Sequence, residues 1–430
     1  MKGMKHLGFL VLCALLGFMP VGAFPQDAPA RRGDDFTIKI AVAGPGDELY
    51  FWWGHIALVI EDRATGQSRF YDYGLFSFEN EHFFTNFAMG RLYFSCGVSP
   101  TDRNLWVYQV TNRTVTFYTL NLSAEAKERV RDFAEINVRP ENRNYFYHHF
   151  NDNCATRIRD IIDIGVNGQF KEAYGNAPGR FTLRQHVRRH TWFNLFFDWL
   201  LNFLMGQGID TPITVWAEMF LPQEIGDRAM EFSYLDSQGV EQKLVSSVET
   251  MYRATNRPAI LAVPRRQWPR ELALSFGISA VLCLFYWIRG KRKSLGQALL
   301  GISQGLLGLF LGGVGSMLFF MTFFSNHDYT YHNSNILFVN PLLLAALPLG
   351  IIMARGDRSR RGTAGSEGRA ERFLAILWGY VFLGGIATMA IKLLPSFYQQ
   401  NQVDQALVMP IAFTLCAVPV IGKLRGRQIH

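Results

Sequence analysis

Cys154 lies in the run His148-His149-Phe150-Asn151-Asp152-Asn153-Cys154-Ala155-Thr156-Arg157, a polar loop that leads into the apolar periodicity of Ile158, Ile161 and Ile162. The spacing places this cysteine at the start of a helix. Free backbone amides and the positive end of the helix dipole favour a thiolate there, and Arg157, one turn on, could add to the effect. A thiolate is a nucleophile that needs a base or cationic partner. Among the histidines, His55 suits that role best. It leads the apolar strand Ile56-Ala57-Leu58-Val59-Ile60 after Gly54, a residue that lets another chain approach. A metal site built from His55, His148 and His149 is a competing reading, without recognisable ligand spacing. A Cys96–Cys154 disulfide is another, because an exported chain meets an oxidising compartment. Cys96 sits in the β-type run Leu92–Val98, where core packing explains it, so both thiols are expected free.

Elements must bring these residues together. Phe36–Ala43, Phe51–Glu61, Arg69–Tyr73, Arg91–Val98, Leu105–Val110 and Val115–Leu120 read as β-type segments, punctuated by Gly44-Pro45-Gly46-Asp47 and Thr65-Gly66. Ser123 is an N-cap for a helix to about Asn137, with Ala126, Val130, Phe133 and Ala134 on one face. A second helix begins near Cys154. Strands followed by helices give an α+β domain. Residues 192–204 form the most apolar stretch of this region, with Asn194, Asp198 and Asn202 recurring every four positions on one helical stripe. That helix is either buried in the domain or laid in a membrane surface.

The rest of the 430-residue chain is of another kind. Lys2 and Lys5 precede an apolar run, Leu7–Met19, and Val21 and Ala23 offer a cleavage site, so residues 1–23 read as a secretory signal. Cys13 lies inside the run, where lipid attachment does not occur. Residues 24–270 read as an exported domain and 271–430 as a membrane domain. Five runs there approach the ~17–25 residues that span a bilayer: Leu272–Ile288, Ala298–Phe324, Ile336–Ala354, Phe373–Leu394 and Ala406–Gly422.

Thirteen lysines and arginines flank one side of these runs: Arg289, Lys291, Arg292 and Lys293, then Arg355, Arg358, Arg360, Arg361, Arg369 and Arg372, then Lys423, Arg425 and Arg427. The opposite loops, Ser325–Asn335 and Pro395–Gln405, have none. The basic side and the C-terminus are therefore expected in the cytoplasm and residues 24–270 outside. Only Asp357, Glu367 and Glu371 offset these charges, so they account for the chain's net +8. The basic balance is a topology signature and does not imply nucleic acid, and the long apolar runs exclude a simple cytosolic enzyme.

With Gly54-His55 followed by apolar residues, then Tyr71-Asp72-Tyr73-Gly74-Leu75-Phe76, then Asp152-Asn153-Cys154-Ala155-Thr156-Arg157-Ile158-Arg159-Asp160, the chain resembles the bacterial lipoprotein N-acyltransferase family called Lnb. The outer loop, with His327-Asp328 and Asn333 to Pro341, is also similar to it. The resemblance implies a permuted papain-like cysteine fold in the α+β exported domain, akin to lecithin:retinol acyltransferase relatives, followed by an all-α five-helix transmembrane domain. It implies an inner-membrane protein with its cysteine domain in the periplasm.

Cys154 would be the nucleophile, His55 the base and Asp72 the orienting residue. Relatives more often carry Asn at the Asp72 position, and Tyr71 or Tyr73 are the alternatives. Asn153 and Arg157 would support the site, and His327 and Asn335 would form a lid or contact a lipid headgroup. His332 reads as part of a hydrated turn.

The implied reaction moves a fatty acyl group from a phospholipid, through a Cys154 thioester, to the α-amine of a diacylglyceryl-cysteine lipoprotein. It requires no bound cofactor. Its partners are the phospholipid donor, the diacylated lipoprotein acceptor and the membrane. Two other classes remain open on the residues alone: a papain-like amidase or peptidase acting on cell-wall peptides, and a non-enzymatic membrane receptor or assembly factor.

Overall fold

Seven strands form one antiparallel sheet in the order β6-β4-β3-β2-β1-β5-β9. The computed structural model describes residues 33–79, 81–355 and 366–427; the expected signal segment lies outside them. The sheet's centre is β1 (Phe36–Ala43), β2 (His55–Asp62) and β3 (Gln67–Leu75), flanked by β4 (Tyr93–Pro100), β5 (Val115–Leu120), β6 (Asn144–Phe146) and β9 (Val245–Tyr252). A short hairpin, β7 (Ser233–Leu235) with β8 (Glu241–Lys243), stands apart from it. Alternation along the central strands buries both faces. Ile38, Ile40, Ile56, Leu58 and Tyr71 pack under two helices, while Ala41, Ala57, Val59 and Phe70 pack on the reverse side with Tyr108.

The first helices in chain order are α1 (Phe83–Ala88), α2 (Thr101–Val110), α3 (Ala124–Asn137) and α4 (Cys154–Gly165). Ser123 caps α3 as its sequence indicated, accepting from the Ala126 amide at 3.2 Å. Segment Leu105–Val110, read above as β-type, belongs to helix α2. Pro100 ends β4, and the Asn104 side chain donates to Ser99 Oγ at 2.8 Å and Pro100 O at 3.1 Å, closing the first turn. Leu105 and Tyr108, three residues apart, then face the sheet. Short apolar runs carry no periodicity that separates strand from helix.

The strand expected from Phe51 starts only at His55. Leu49–Phe51 forms a 3-10 turn, and Gly54 has φ +81, with its missing Cβ 2.7 Å from the Ala43 carbonyl. That residue must be glycine for the chain to enter β2.

The five expected spans are helices, α7 (Trp268–Lys291), α8 (Lys293–Phe324), α9 (Ala346–Arg355), α10 (Ser366–Ile391) and α11 (Gln402–Arg427). They follow α5 (Leu183–Thr191) and α6 (Leu195–Leu204). Two boundaries differ from the sequence reading. The basic stretch between the first two runs is almost wholly helical, with Arg292 alone between α7 and α8. The third span is interrupted: 3-10 turns at Ser334–Leu337 and Pro341–Ala345 precede α9, because Asn340 caps and Pro341 cannot continue an incoming helix.

Helices α8 and α9 touch backbone to backbone. A Cβ on Gly301 would collide with the Gly350 carbonyl, and one on Gly308 with Ala346. Lipid tails supply no hydrophobic drive between helices, so close van der Waals contact through small residues substitutes for it.

Helix α6 resolves the two readings of residues 192–204 differently from either. Trp199, Phe203 and Leu204 enter the same core as the spans, with Trp199 stacked on Phe310 at 5.6 Å, while Leu195 and Phe196 remain exposed. The polar stripe faces inward. Asp198 accepts from Thr191 at 2.6 Å, and Asn202 reaches Asp404 at 3.5 Å.

Carbonyls at the C-terminal end of α6, orphaned in any helix, take donors from the outer loops. Asn333 and Asn335 donate to Phe203 O at 2.8 and 2.9 Å, and Gln399 to Met205 O at 3.1 Å. Fully buried Arg184 completes this clasp. It pairs with Asp210 at 2.7 and 3.0 Å and donates to the Met205 and Gly206 carbonyls at 2.7 and 2.8 Å.

Candidate active site

Cys154 is the first residue of α4. Asn153 caps the helix through a reciprocal pair of bonds: its side chain accepts from the Thr156 amide at 2.9 Å, and its own amide donates to Thr156 Oγ1 at 2.8 Å. The Asn153 amide group also donates to His149 O and Phe220 O, at 2.8 and 3.0 Å. Every polar edge of Asn153 is thus engaged in setting where Cys154 enters the helix. It holds the cysteine without facing a substrate.

His55 and Asp72 come from neighbouring strands. Ala57 pairs with Asp72, so His55, two residues earlier, shares the Asp72 face. His55 Nε2 lies 2.9 Å from Asp72 Oδ1, with both side chains less than one-fifth exposed. Burial works against charging this imidazole, but Asp72, the Cys154 sulfur and Tyr108 outweigh it, and its pKa stands well above the ordinary histidine value. Neither tyrosine alternative holds the histidine. Tyr71 bonds Glu135, and Tyr73 has a buried hydroxyl without a partner among the described residues.

Gly74 closes the distance between strand and helix. It has φ +131, and the β3–β4 register shifts between Tyr73 and Leu75. A Cβ at Gly74 would stand 3.7 Å from Cys154 Cβ and 3.7 Å from His55 Cε1. Thiol and imidazole therefore flank a single missing methyl, where a bulge turns the strand. The run Tyr71-Asp72-Tyr73-Gly74 carries the sequence signal for this bulge, a glycine inside a strand. Gly74→Ala would force that backbone at a cost of roughly 1–3 kcal/mol and fill the space between Cys154 and His55 with a methyl. The expected result is a fall in turnover of about 10²-fold with normal membrane accumulation, measured by rate and immunoblot. Wild-type turnover would remove Gly74 from the site.

Around the thiol stand groups that the sequence did not single out. Tyr145 on β6 has a buried hydroxyl with no hydrogen-bond partner among the described residues, and burial, then the Cys154 charge, push its pKa far up. Arg157, expected to support a thiolate, instead forms a bidentate pair with Asp152 at 2.7 and 2.9 Å and lies 3.7 Å over the Tyr145 ring. Its charge is matched locally, and its guanidinium fixes Tyr145.

His148 folds the loop before Cys154. Its Nδ1 accepts from the Phe150 and Asn151 amides at 3.1 and 3.0 Å, and its Nε2 lies 2.9 Å from Asp328 of the outer membrane loop. His149 is half-buried beside Tyr147 and Tyr329 with its Nδ1 covered, and desolvation, with His327 and His148 nearby, lowers its pKa to about 4. It stays neutral.

His327 and Asn335 are not a lid and do not present donors to a headgroup. His327 bridges Phe87 O at 2.9 Å and Tyr329 Oη at 2.8 Å, and burial lowers its pKa. The Asn335 side chain donates to Phe203 O and to Asp404 at 3.0 Å, and accepts from Asn401 at 2.6 Å. Both pin the exported domain to the spans. His332 is exposed, as a hydrated turn requires. Cys96 and Cys154 are separate free thiols, with Cys96 Sγ bonded to Asn137 O at 2.9 Å.

Two family models match the chain. One, described as the Lnb N-terminal periplasmic domain, matches residues 31–189. The other, described as the Lnb transmembrane domain, matches residues 269–361. No curated protein and no solved structure matches. The stretch between the two matches contains α6 and β9, the docking helix and the last strand of the sheet.

Proposed function

The chain belongs to the Lnb family, and from that premise we propose that it is a lipoprotein N-acyltransferase working through a Cys154 thioester. Family membership makes it a multi-pass inner-membrane protein with a periplasmic domain and a general role in lipoprotein modification. The acyl-transfer chemistry is our reading. It rests above all on the meeting of Cys154 and His55 across Gly74, in a domain whose loop before the thiol is bonded to the membrane domain through His148 and Asp328.

In the first step, His55 takes the Cys154 proton, and the thiolate attacks the carbonyl carbon of a phospholipid ester. The tetrahedral oxyanion meets the first-turn amides of α4 and the Tyr145 hydroxyl. One such donor is typically worth about 2.7–4 kcal/mol. The C–O bond then breaks, and the lysophospholipid alkoxide leaves with the proton from His55. In the second step, the lipoprotein α-amine attacks the thioester. His55 takes the amine's proton, the Cys154 thiolate departs, and an amide forms. Asp72 holds the imidazole in one orientation and balances its charge throughout.

No ATP is needed, because each step exchanges one acyl linkage for another. Placing both lipids beside the nucleophile supplies the proximity term, worth up to several kcal/mol. The basic flanks of the spans favour a cytoplasmic C-terminus, and on that side Arg289 and Glu371 form a bidentate pair at 2.8 and 3.0 Å.

The test is mass spectrometry of the purified full chain, phospholipid and a synthetic diacylated lipopeptide. One acyl chain added to the peptide, with acylated Cys154 trapped when the peptide is withheld, is the expected result. An unmodified peptide and untouched phospholipid in a folded sample would overturn the reading and favour cell-wall peptides as substrates.

A further inference from the structure

We propose that the exposed rings of Phe78, Phe84 and Phe87, joined by half-buried Phe83 and continued inward by Phe76 and Phe94, form the surface along which a phospholipid acyl chain leaves the bilayer for Cys154. The inference rests on the acyl-transfer reading and assigns it a lipid entry route. Phe84 is 73% exposed, Phe87 48% and Phe78 41%. Soluble surfaces seldom gather large apolar side chains this way without something to cover them.

The rings form an unbroken path. Phe84 meets Phe83 at 5.4 Å, Phe83 meets Phe76 at 6.0 Å, and Phe76 meets Phe94 at 5.0 Å. Phe94 stacks on Tyr147 at 4.2 Å, and Tyr147 lies edge-on to His149 at 5.5 Å. Phe76 follows Gly74 by two residues, and the missing Cβ of Gly74 stands 3.7 Å from Cys154 Cβ. A cavity of about 220 Å³ opens among Phe83, Phe87, Leu92 and Phe94.

The outer end of this path identifies the occupant as bilayer lipid. Helix α1, which carries Phe83, Phe84 and Phe87, is bonded to the loop joining the second and third spans: the Asn326 amide donates to Met89 O at 2.9 Å, and His327 Nε2 reaches Phe87 O. Gly90 packs directly on the Asn326 backbone, where a Cβ would lie 2.7 Å from its carbonyl carbon. The aromatic cluster is therefore held at the outer ends of the membrane helices. Its inner end lies beside the cysteine. A flat protein interface would need no such inward continuation, whereas an acyl chain delivered to a thiol does.

The experiment uses the full chain in nanodiscs whose phospholipid carries a diazirine near the end of one acyl chain. In Cys154→Ala, where turnover cannot consume the probe, photolysis should crosslink the peptide bearing Phe83, Phe84 and Phe87. In the active chain, Phe83→Ser with Phe84→Ser should raise the KM for phospholipid in thioester formation by about tenfold, the effect of losing large apolar contacts, with kcat unchanged. Phe84→Leu should restore wild-type KM. Crosslinks confined to the spans, or an unchanged KM, would overturn the route. So would a KM change seen only for the lipopeptide in the second step, which would give the patch to the acceptor. Crosslinks on the patch without any acylation of wild-type Cys154 would sink the acyl-transfer reading and support lipid binding at this surface.

Discussion

Cys154→Ala and His55→Ala each eliminate acyl transfer, while the protein accumulates in the membrane at wild-type level. The alanine at 154 cannot form a thioester, so no acylated intermediate is trapped and no lipopeptide gains mass. Loss of the imidazole removes the group that takes the thiol proton and returns it to the leaving oxygen, a contribution of about 10²–10⁴-fold. Full activity in either variant would refute the mechanism. Asp72→Asn gives a finer reading of the same pair. The Asp72 carboxylate, with the Cys154 charge, holds the His55 pKa well above its usual value against burial. Protonated His55 is needed for the leaving oxygen, so the alkaline limb of thioester formation reports its titration.

Removing the carboxylate lowers that pKa, and the limb must move to lower pH. The stability effect has the same sign. A raised folded-state value contributes fully below the unfolded value of about 6.5 and is lost as pH rises through the folded value. Asp72→Asn should flatten that part of the pH–stability profile. A limb that stays in place would mean that His55 is not the titrating group.

Arg184→Met loosens the junction between the exported domain and the spans. The guanidinium is fully buried and bonded to Asp210 and to three carbonyls at the end of α6. Removing it leaves Asp210 buried without its counter-ion, which costs about 3–5 kcal/mol. For a domain of this size, that corresponds to a fall in thermal midpoint of roughly 6–20 °C. The same change should increase protease access between α6 and the outer loops, because those loops lose the carbonyl pattern they cap. An unaltered midpoint and cleavage pattern would show that the clasp does not hold the domains together. The polar groups here belong to a single network, so Asn335 and Gln399 variants should couple with Arg184→Met and not add to it.

Much of the plan was legible in the residues alone. Charge placement and run length decide membrane crossing because each buried charge and each unpaired backbone group in hydrocarbon is costly. The five runs and their basic flanks therefore carried the membrane domain without any tertiary information. Cys154 was legible for a local reason as well: Asn153 and Thr156 form a cap whose partners are three residues apart, and helix starts are written at that range.

Other features depended on contacts between segments far apart in the chain. Whether Leu105 to Val110 is strand or helix turned on a face offered by Phe70, more than thirty residues earlier. The partner of His55 among Tyr71, Asp72 and Tyr73 followed from strand register, since adjacent residues point to opposite faces. Arg157 was expected to act on the thiol, but Asp152 stood within its reach and took its charge.

The sequence by itself determined the span number and the helix start at Cys154. Each of these depends on composition, periodicity or bonds across a few residues. Only the tertiary structure decided that Gly74 stands between Cys154 and His55, that His327 and Asn335 brace a domain junction, and that the phenylalanines of α1 join a chain of rings through Phe76 to Phe94. Those outcomes follow from the meeting of segments as much as 240 residues apart, as with Phe87 and His327. Local patterning sets what each segment can become, and long-range packing selects which surfaces face one another.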